Sequence, residues 1–165
     1  MGGKIRFNVA KFGAKVASQV SKFGFGSGNN LPGYVFYKIA GKEALKDLAH
    51  EMSIGPILIT GTNGKTTTTT LLIKLLSADT KIRKSFESNT IHAITTGILK
   101  GDGDLGVFEY GIRNKSYGIP DTVQRLIDPV GVVYTTISRE HSQVAGVKNP
   151  FEEYVDAKSL LSQGM

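Results

Sequence analysis

The sequence predicts a three-layer α/β domain with a mostly parallel sheet, preceded by a basic amphipathic helix. Two observations predict the sheet: short apolar runs alternate with helical stretches, and a glycine-rich turn follows the first run. Strands that alternate with helices of ordinary length are typical of βαβ units, whose strands run parallel. The 165 residues suffice for one ordinary core.

The N-terminal segment, from residue 1 to about residue 23, carries apolar residues at helical steps of three and four. These residues are Ile5, Val9, Phe12, Val16, Val20 and Phe23. Residues 1–30 hold five basic and no acidic side chains, whereas the rest of the chain holds 15 basic and 14 acidic ones. A basic amphipathic helix can bind an anionic membrane surface or a partner protein. Alternatively, it packs against its own domain or against an absent domain, and we expect this second arrangement.

A second segment, Gly24–Gly33, is rich in glycine and asparagine and predicts a flexible linker. The sequence therefore predicts a division into residues 1–33, helix and linker, and residues 34–165, the α/β domain. Residues 34–52 are predicted to be helical. Further helices are predicted at 65–77, 90–99 and 120–127, with another from Pro150, and strands at 57–60, 82–86, 105–109 and 130–135.

Composition excludes several classes of protein. The chain has no cysteine, which excludes disulfides, thiolate zinc sites and cysteine nucleophiles. No apolar run approaches the roughly 18 to 20 residues of a membrane span. We expect a cytoplasmic protein without a nucleic-acid partner.

The Gly61–Thr66 segment, Gly-Thr-Asn-Gly-Lys-Thr, stands between a predicted strand and a predicted helix. Glycines let backbone amides approach an anion, and the helix N-terminus attracts negative charge. Lys65 is expected to reach the β- and γ-phosphates of ATP, and the Thr66 hydroxyl to bind Mg²⁺. Ile59 stands where the usual phosphate loop has its first glycine, so this loop is shortened. The predicted nucleotide-binding residues are Gly61, Thr62, Asn63, Gly64, Lys65, Thr66 and Thr67.

Glu109 ends a predicted strand, at the edge where open α/β sheets bind ligands. A carboxylate oxygen there suits Mg²⁺. The alternative is a solvated acid at a strand end.

The run Gly61–Thr68 resembles the phosphate loop of the Mur ligases, which use ATP to join amino acids or peptides to a carboxylate. The resemblance implies that Glu109 binds magnesium. It also implies a metal-ligating histidine at His141, although Glu140 precedes it where the family has aspartate. Lys158 is similar to the lysine that many members carbamylate, which makes it a further metal ligand. Lys65 and Lys158 are accordingly the predicted catalytic residues.

The resemblance covers roughly residues 54–161 and does not decide which member of the family the chain resembles most. The muramyl-tripeptide synthetases, the isoglutaminyl synthase ligase subunit and archaeal pseudomurein peptide ligases are all similar, but the cysteine-rich zinc insertion of the second is absent. Family members continue into a C-terminal Rossmann-like domain that holds the incoming amino acid. We therefore expect a truncated sheet and an inactive isolated chain, with a partner chain that supplies the missing domain as an open alternative.

The predicted function is the ATP-binding portion of a ligase that forms an amide bond through an acyl phosphate, in cell-wall peptide biosynthesis. Its substrates would be Mg-ATP, a carboxylate acceptor and an amino acid or amine. Two alternatives stay open: a non-catalytic nucleotide-binding module, and a phosphate-loop NTPase or kinase.

Overall fold

The computed structural model describes residues 2–22, 30–116, 118–139, 146 and 148–165. It confirms the predicted α/β class. In the described residues, all four strands lie in one parallel sheet, in the order β2-β3-β1-β4. The strands are β1 Gly55–Thr60, β2 Ile82–Ser85, β3 Leu105–Glu109 and β4 Gly131–Tyr134.

Helices connect the strands and cover both faces of the sheet. They are α1 Gly2–Ser21, α2 Leu31–Ala40, α3 Ala44–Ala49, α4 Lys65–Leu76, α5 Ile91–Lys100, α6 Pro120–Ile127 and α7 Pro150–Ser159, followed by a 3-10 turn at Leu160–Ser162. The predicted positions of α4, α5 and α6 are confirmed to within a residue at each end.

Alternate residues of the central strands divide the core in two, as the two-residue period of a strand requires. Leu58 and Phe108 belong to a large core shared with α1, α2, α3, α5 and α6. Ile59 and Val107 face the opposite side and pack with Ile73 of α4. The sheet is therefore the middle layer of three.

The register brings the carboxyl ends of the central strands together. Ile59 of β1 pairs with Glu109 of β3, and Thr60 pairs with Tyr134 of β4. The chain passes from β1 outward to β2, returns to β3 and then crosses to β4 on the other side of β1. Open α/β sheets bind ligands at such a reversal.

Helix α1 packs through a face that the sequence pattern did not indicate. Ala10, Ala14 and Ala17 are buried, and Phe7 meets Phe36 of α2 edge to face, with ring centroids 5.5 Å apart. Five residues of the predicted apolar stripe, Ile5, Val9, Phe12, Val16 and Val20, lie on the opposite, exposed side of the helix. The sixth, Phe23, lies outside the described residues. Helix α1 therefore packs on its own domain, as expected, but it does so through small side chains that let it approach α2 closely, and not through the apolar stripe.

The linker prediction is wrong for residues 31–33, which form the first turn of α2. Proline suits the first turn of a helix, where its missing N–H has no intrahelical partner. The helical prediction for residues 34–52 is also corrected, since Gly41 separates α2 from α3 with φ of 87°. The division between residues 33 and 34 stays a prediction.

Within the described part of the chain, no helix is both long enough and apolar enough to span a membrane.

Candidate nucleotide and metal site

The glycine-rich loop predicted from the sequence leaves the end of β1 and enters α4. Gly64 precedes α4 with φ of 81°, a left-handed conformation that glycine adopts without strain. The N-terminal N–H groups of α4 consequently lie at the carboxyl edge of the sheet. This is the arrangement by which a helix N-terminus binds phosphate.

Thr66 and Glu109 come together beside this loop, as the sequence predicts. The Thr66 hydroxyl donates a hydrogen bond of 2.9 Å to Oε2 of Glu109. Glu109 is buried with 4% exposure, at the last position of β3. A hydroxyl and a carboxylate are hard oxygen donors, so the pair fits Mg²⁺.

The segment that follows β4 holds the loop in place. The Asn63 N–H donates to the Thr136 hydroxyl (3.0 Å), and the Thr135 hydroxyl donates to the Asn63 carbonyl (2.6 Å). A Cβ at Gly61 would stand 2.0 Å from the Thr135 hydroxyl oxygen. This threonine pair is not among the residues predicted for the site. No sequence signal indicates its contact with the loop.

The predicted nucleotide residues divide into exposed and buried groups. Asn63 and Thr67 are exposed, whereas Thr62 is buried. The Thr62 hydroxyl accepts from the Ser138 N–H (2.9 Å) and lies 2.9 Å from the Tyr154 hydroxyl. Burial raises the pKa of Tyr154, so this phenol stays protonated. The Thr62 side chain therefore fastens the loop to α7.

The Lys65 ammonium folds back over the loop. It donates to the carbonyls of Thr62 (2.9 Å) and Gly61 (3.2 Å). A flexible lysine that starts from this position reaches phosphate oxygens over the loop by rotating its side chain.

Lys158 is fully buried next to the same loop. Its Nζ donates to the hydroxyl of Thr60 (3.2 Å) and to the carbonyls of Gly61 (3.3 Å) and Ile112 (3.1 Å). Burial, and secondarily the charge of Lys65, lower the pKa of Lys158 to about 8. No sequence pattern indicates that this lysine is buried, because α7 is mostly polar.

His141, the other predicted metal ligand, lies outside the described residues. Among the residues that are described, no three histidine, cysteine, aspartate or glutamate side chains gather into a metal cluster. Thr66 and Glu109 are therefore the described protein oxygens that fit Mg²⁺, with ATP phosphate oxygens as further ligands.

A small cavity of about 110 Å³ opens beside the loop. Its lining consists of Gly61, Lys65, Asn89, Gly111, Ile112, Arg113 and Tyr154. Asn89 and Arg113 thus line the same cavity as Lys65. His92 does not line this cavity, since its ring stands against those of Tyr34 and Tyr37, at 5.5 and 5.0 Å between centroids.

Comparison with known proteins identifies the family. Residues 59–165 match the family described as Mur ligase middle domain, which is about two thirds of the chain. The chain belongs to the Mur ligase family. The match includes the phosphate loop, Glu109 and Lys158, so the predicted family is confirmed in the region that forms the site.

Two curated Mur ligases are similar in sequence. The UDP-N-acetylmuramoyl-tripeptide–D-alanyl-D-alanine ligase of Borreliella burgdorferi is 36% identical over 100 residues, covering 58% of this chain and 21% of the relative. The ligase of the same name from Bacillus subtilis is 29% identical over 129 residues, covering 74% of this chain and 27% of the relative. The chain thus spans about a quarter of the length of these Mur ligases.

Two crystal structures of MurF from Acinetobacter baumannii share the fold. One has a TM-score of 0.60 and 18% identity, and covers 80% of this chain and 27% of that one. The other has a TM-score of 0.58 and 22% identity, and covers 73% of this chain and 27% of that one. This likeness supports the fold of a Mur ligase middle domain.

Proposed function

We propose that this chain is the ATP-binding portion of an ATP-dependent ligase that joins a carboxylate to an amine through an acyl phosphate. The observation that carries the proposal is the 2.9 Å hydrogen bond between Thr66 and Glu109 beside the phosphate loop. It brings together two oxygen donors of the kind that Mg²⁺ prefers, beside the loop that we propose binds the β- and γ-phosphates. Membership of the Mur ligase family supports the same reaction class.

The described residues have distinct parts in such a reaction. The N–H groups at the start of α4 and the Lys65 ammonium would hold the β- and γ-phosphates. Thr66 and Glu109 would hold Mg²⁺, which offsets negative charge on the transferring phosphoryl group. A carboxylate oxygen of the acceptor attacks the γ-phosphorus and ADP leaves; the amine then attacks the acyl carbon and inorganic phosphate leaves.

The acceptor and the amine are proposed from the relatives. Both curated relatives are named as ligases of UDP-N-acetylmuramoyl-tripeptide and D-alanyl-D-alanine. We propose substrates of that class, a peptide carboxylate on a cell-wall precursor and an amino acid or dipeptide amine, used in the cytoplasm. A C-terminal domain, in the same protein or on a partner chain, would hold the amine.

Lys158 and His141 are proposed as further ligands to the metal. A lysine can take this role only as a carbamate, formed when its neutral amine attacks CO₂ and releases a proton. The lowered pKa of Lys158 favours the neutral amine. Carbamate formation must also release hydrogen bonds to Gly61 and Ile112, so the present contacts suit an ammonium that anchors the loop.

Carbon-13 NMR of the chain in labelled bicarbonate tests the modification. A carbamate signal that is absent from Lys158→Arg supports a modified lysine. If both proteins give the same spectrum, Lys158 is an anchor and not a ligand.

Calorimetry with Glu109→Ala tests the metal site and separates the three candidate functions. We expect ATP to bind more tightly in the presence of Mg²⁺ than in the presence of EDTA, and Glu109→Ala to remove most of that difference. A nucleotide-binding module without catalysis would keep its affinity in the variant. A phosphate-loop NTPase would release phosphate from ATP without any amine, which an assay of inorganic phosphate detects.

A further inference from the structure

The outward face of α1 carries an apolar stripe that no described residue covers. The stripe consists of Ile5, Val9, Phe12, Val16 and Val20, which are 65%, 53%, 70%, 47% and 43% exposed. The opposite face of the same helix, with Ala10 and Ala14, is already buried against α2. We propose that this apolar stripe docks on an anionic lipid surface, with α1 lying in the plane of the membrane interface.

The geometry of α1 suits an interfacial helix. Its 20 residues make a rod roughly 30 Å long. The stripe residues recur every three or four positions, so they form one continuous line along that rod. Helices of this kind bury their apolar face at the boundary between lipid headgroups and acyl chains.

The charges beside the stripe select the chemistry of the partner. At 100° per residue, Lys4, Lys15 and Lys22 fall along one border of the stripe and Arg6 falls on the other. All four are exposed, although Nε of Arg6 donates to the Ile39 carbonyl of α2, so the three lysines are the cations that face outward. The first acidic residue of the chain is Glu43. Cations without neighbouring acids, arranged beside an apolar line, are complementary to anionic lipid headgroups.

Lys11 is not part of this border because it is engaged within the fold. Its Nζ lies 2.7 Å from Oε1 of Glu51. Lys11 therefore fixes α1 to the domain, whereas the lysines along the border of the stripe face outward.

A second copy of the chain is a poorer partner for this face. A two-fold interface places the same patch on both subunits. Two copies would consequently bring their lysine borders together, and like charges repel. An anionic membrane satisfies the apolar stripe and the cations at once.

Co-sedimentation of the full chain with vesicles tests the proposal independently of ATP or ligase activity. Vesicles containing phosphatidylglycerol should bind the chain, and vesicles of phosphatidylcholine alone should bind it far less. Each basic residue near an anionic surface strengthens binding about fivefold. Lys4→Gln/Lys15→Gln should therefore weaken it roughly 20-fold, and added salt should weaken it further.

Matched variants on α4 control for unspecific apolar and basic contacts. Phe12→Gln/Val16→Gln should weaken binding roughly tenfold or more. Leu71 and Leu75 of α4 are likewise exposed, at 55% and 72%, and Leu71→Gln/Leu75→Gln should leave binding unchanged. Lys74→Gln/Lys84→Gln, on α4 and β2, controls for charge, since both lysines are exposed and lie outside α1. Circular dichroism verifies that every variant folds.

Three outcomes overturn the proposal. The first is a folded chain that does not sediment with anionic vesicles. The second is equal binding to both kinds of vesicle, and the third is equal loss in the α1 and α4 variants. If the chain does not bind vesicles but self-associates, and Phe12→Gln/Val16→Gln abolishes the self-association, the apolar stripe is an interface with a second copy of the chain.

Discussion

Lys158 illustrates how the fold changes the chemistry of a single residue. An ordinary lysine is exposed and charged, but this one is enclosed, and its Nζ is held by three oxygens. Burial destabilises the charged form of Lys158 more than the hydrogen bonds stabilise it, so its pKa falls to about 8. The residue can therefore respond to pH near neutrality.

This lowered pKa predicts how stability depends on pH. The ordinary pKa of 10.5 applies in the unfolded chain, so between about pH 8 and 10.5 the unfolded chain binds more protons than the folded chain. The free energy of unfolding should accordingly rise with pH. From about pH 7 to about pH 9.5 we expect a gain of about 2 kcal/mol from this residue, measured by urea unfolding.

Lys158→Met is the control for this rise, because it removes the titrating group while keeping an apolar stem. The variant should lose most of the pH dependence, whatever its absolute stability. Measurements stop below pH 10 because burial raises the pKa of Tyr154, which makes stability fall with further increase in pH. An equal rise in both proteins would contradict the assignment.

Single residues also show how far the sequence predicts the site. The contact between Thr66 and Glu109 could be expected from the sequence. Thr66 follows β1 and Glu109 ends β3, and the carboxyl ends of parallel strands meet at one edge of the sheet. The contact of Thr135 and Thr136 with Asn63 could not, since it depends on the distance between two loops in the folded chain. Residues joined by sheet topology were predictable; those joined by packing of irregular segments were not.

At the scale of the element, the phosphate loop depends on a glycine that no larger residue can replace. Gly61 has φ of 150°, and an added Cβ would meet the Thr135 hydroxyl at 2.0 Å and the Thr136 carbonyl oxygen at 2.9 Å. Gly61→Ala should lower the free energy of unfolding by about 2–4 kcal/mol, from backbone strain and overpacking together.

Gly41→Ala isolates the backbone part of this effect. Gly41 also has positive φ, of 87°, but no atom lies within 4 Å of its added Cβ. Its substitution should cost about 1 kcal/mol in the same urea unfolding experiment. Equal losses at the two positions would show that Thr135 and Thr136 do not confine the loop.

Helices α1 and α2 show where sequence patterns failed at this scale. Hydrophobic periodicity marks a line of large apolar residues, but alanine and glycine allow closer contact between helices than valine or phenylalanine do. Gly33 shows the same effect in α2: its added Cβ would lie 2.0 Å from the His92 carbonyl oxygen, and its N–H donates to Thr96. A segment that looks like a linker from composition is therefore a tightly packed helix start.

At the scale of the whole molecule, the described chain forms one face of a potential active site. The phosphate loop, Glu109 and Lys158 meet at the carboxyl edge of the sheet. The matched part of the chain covers 21% and 27% of the two curated relatives. In the Mur ligase family the incoming amino acid is expected to be held by a further domain.

We predict that the 165-residue chain alone forms no amide bond from ATP, UDP-N-acetylmuramoyl-tripeptide and D-alanyl-D-alanine. The chain spans about a quarter of the length of the curated ligases, and orientation of the amine supplies much of the rate of such a reaction. Mass spectrometry of the product mixture measures this, with the full-length Bacillus subtilis ligase as the positive control. An amide product formed by the purified chain would refute the prediction.

Calorimetric titration with Mg-ATP, of the chain and of Lys65→Ala, tests the central claim most directly. The account predicts weak binding by the chain and affinity lower by roughly tenfold or more in the variant, because a charged hydrogen-bond donor to phosphate is lost. Lys74→Ala, an exposed lysine of the same helix, should bind as the unchanged chain does. Equal affinity in the chain and in Lys65→Ala, or no binding by a chain that circular dichroism shows to be folded, would contradict the assignment of Gly61–Thr66 as its phosphate-binding loop.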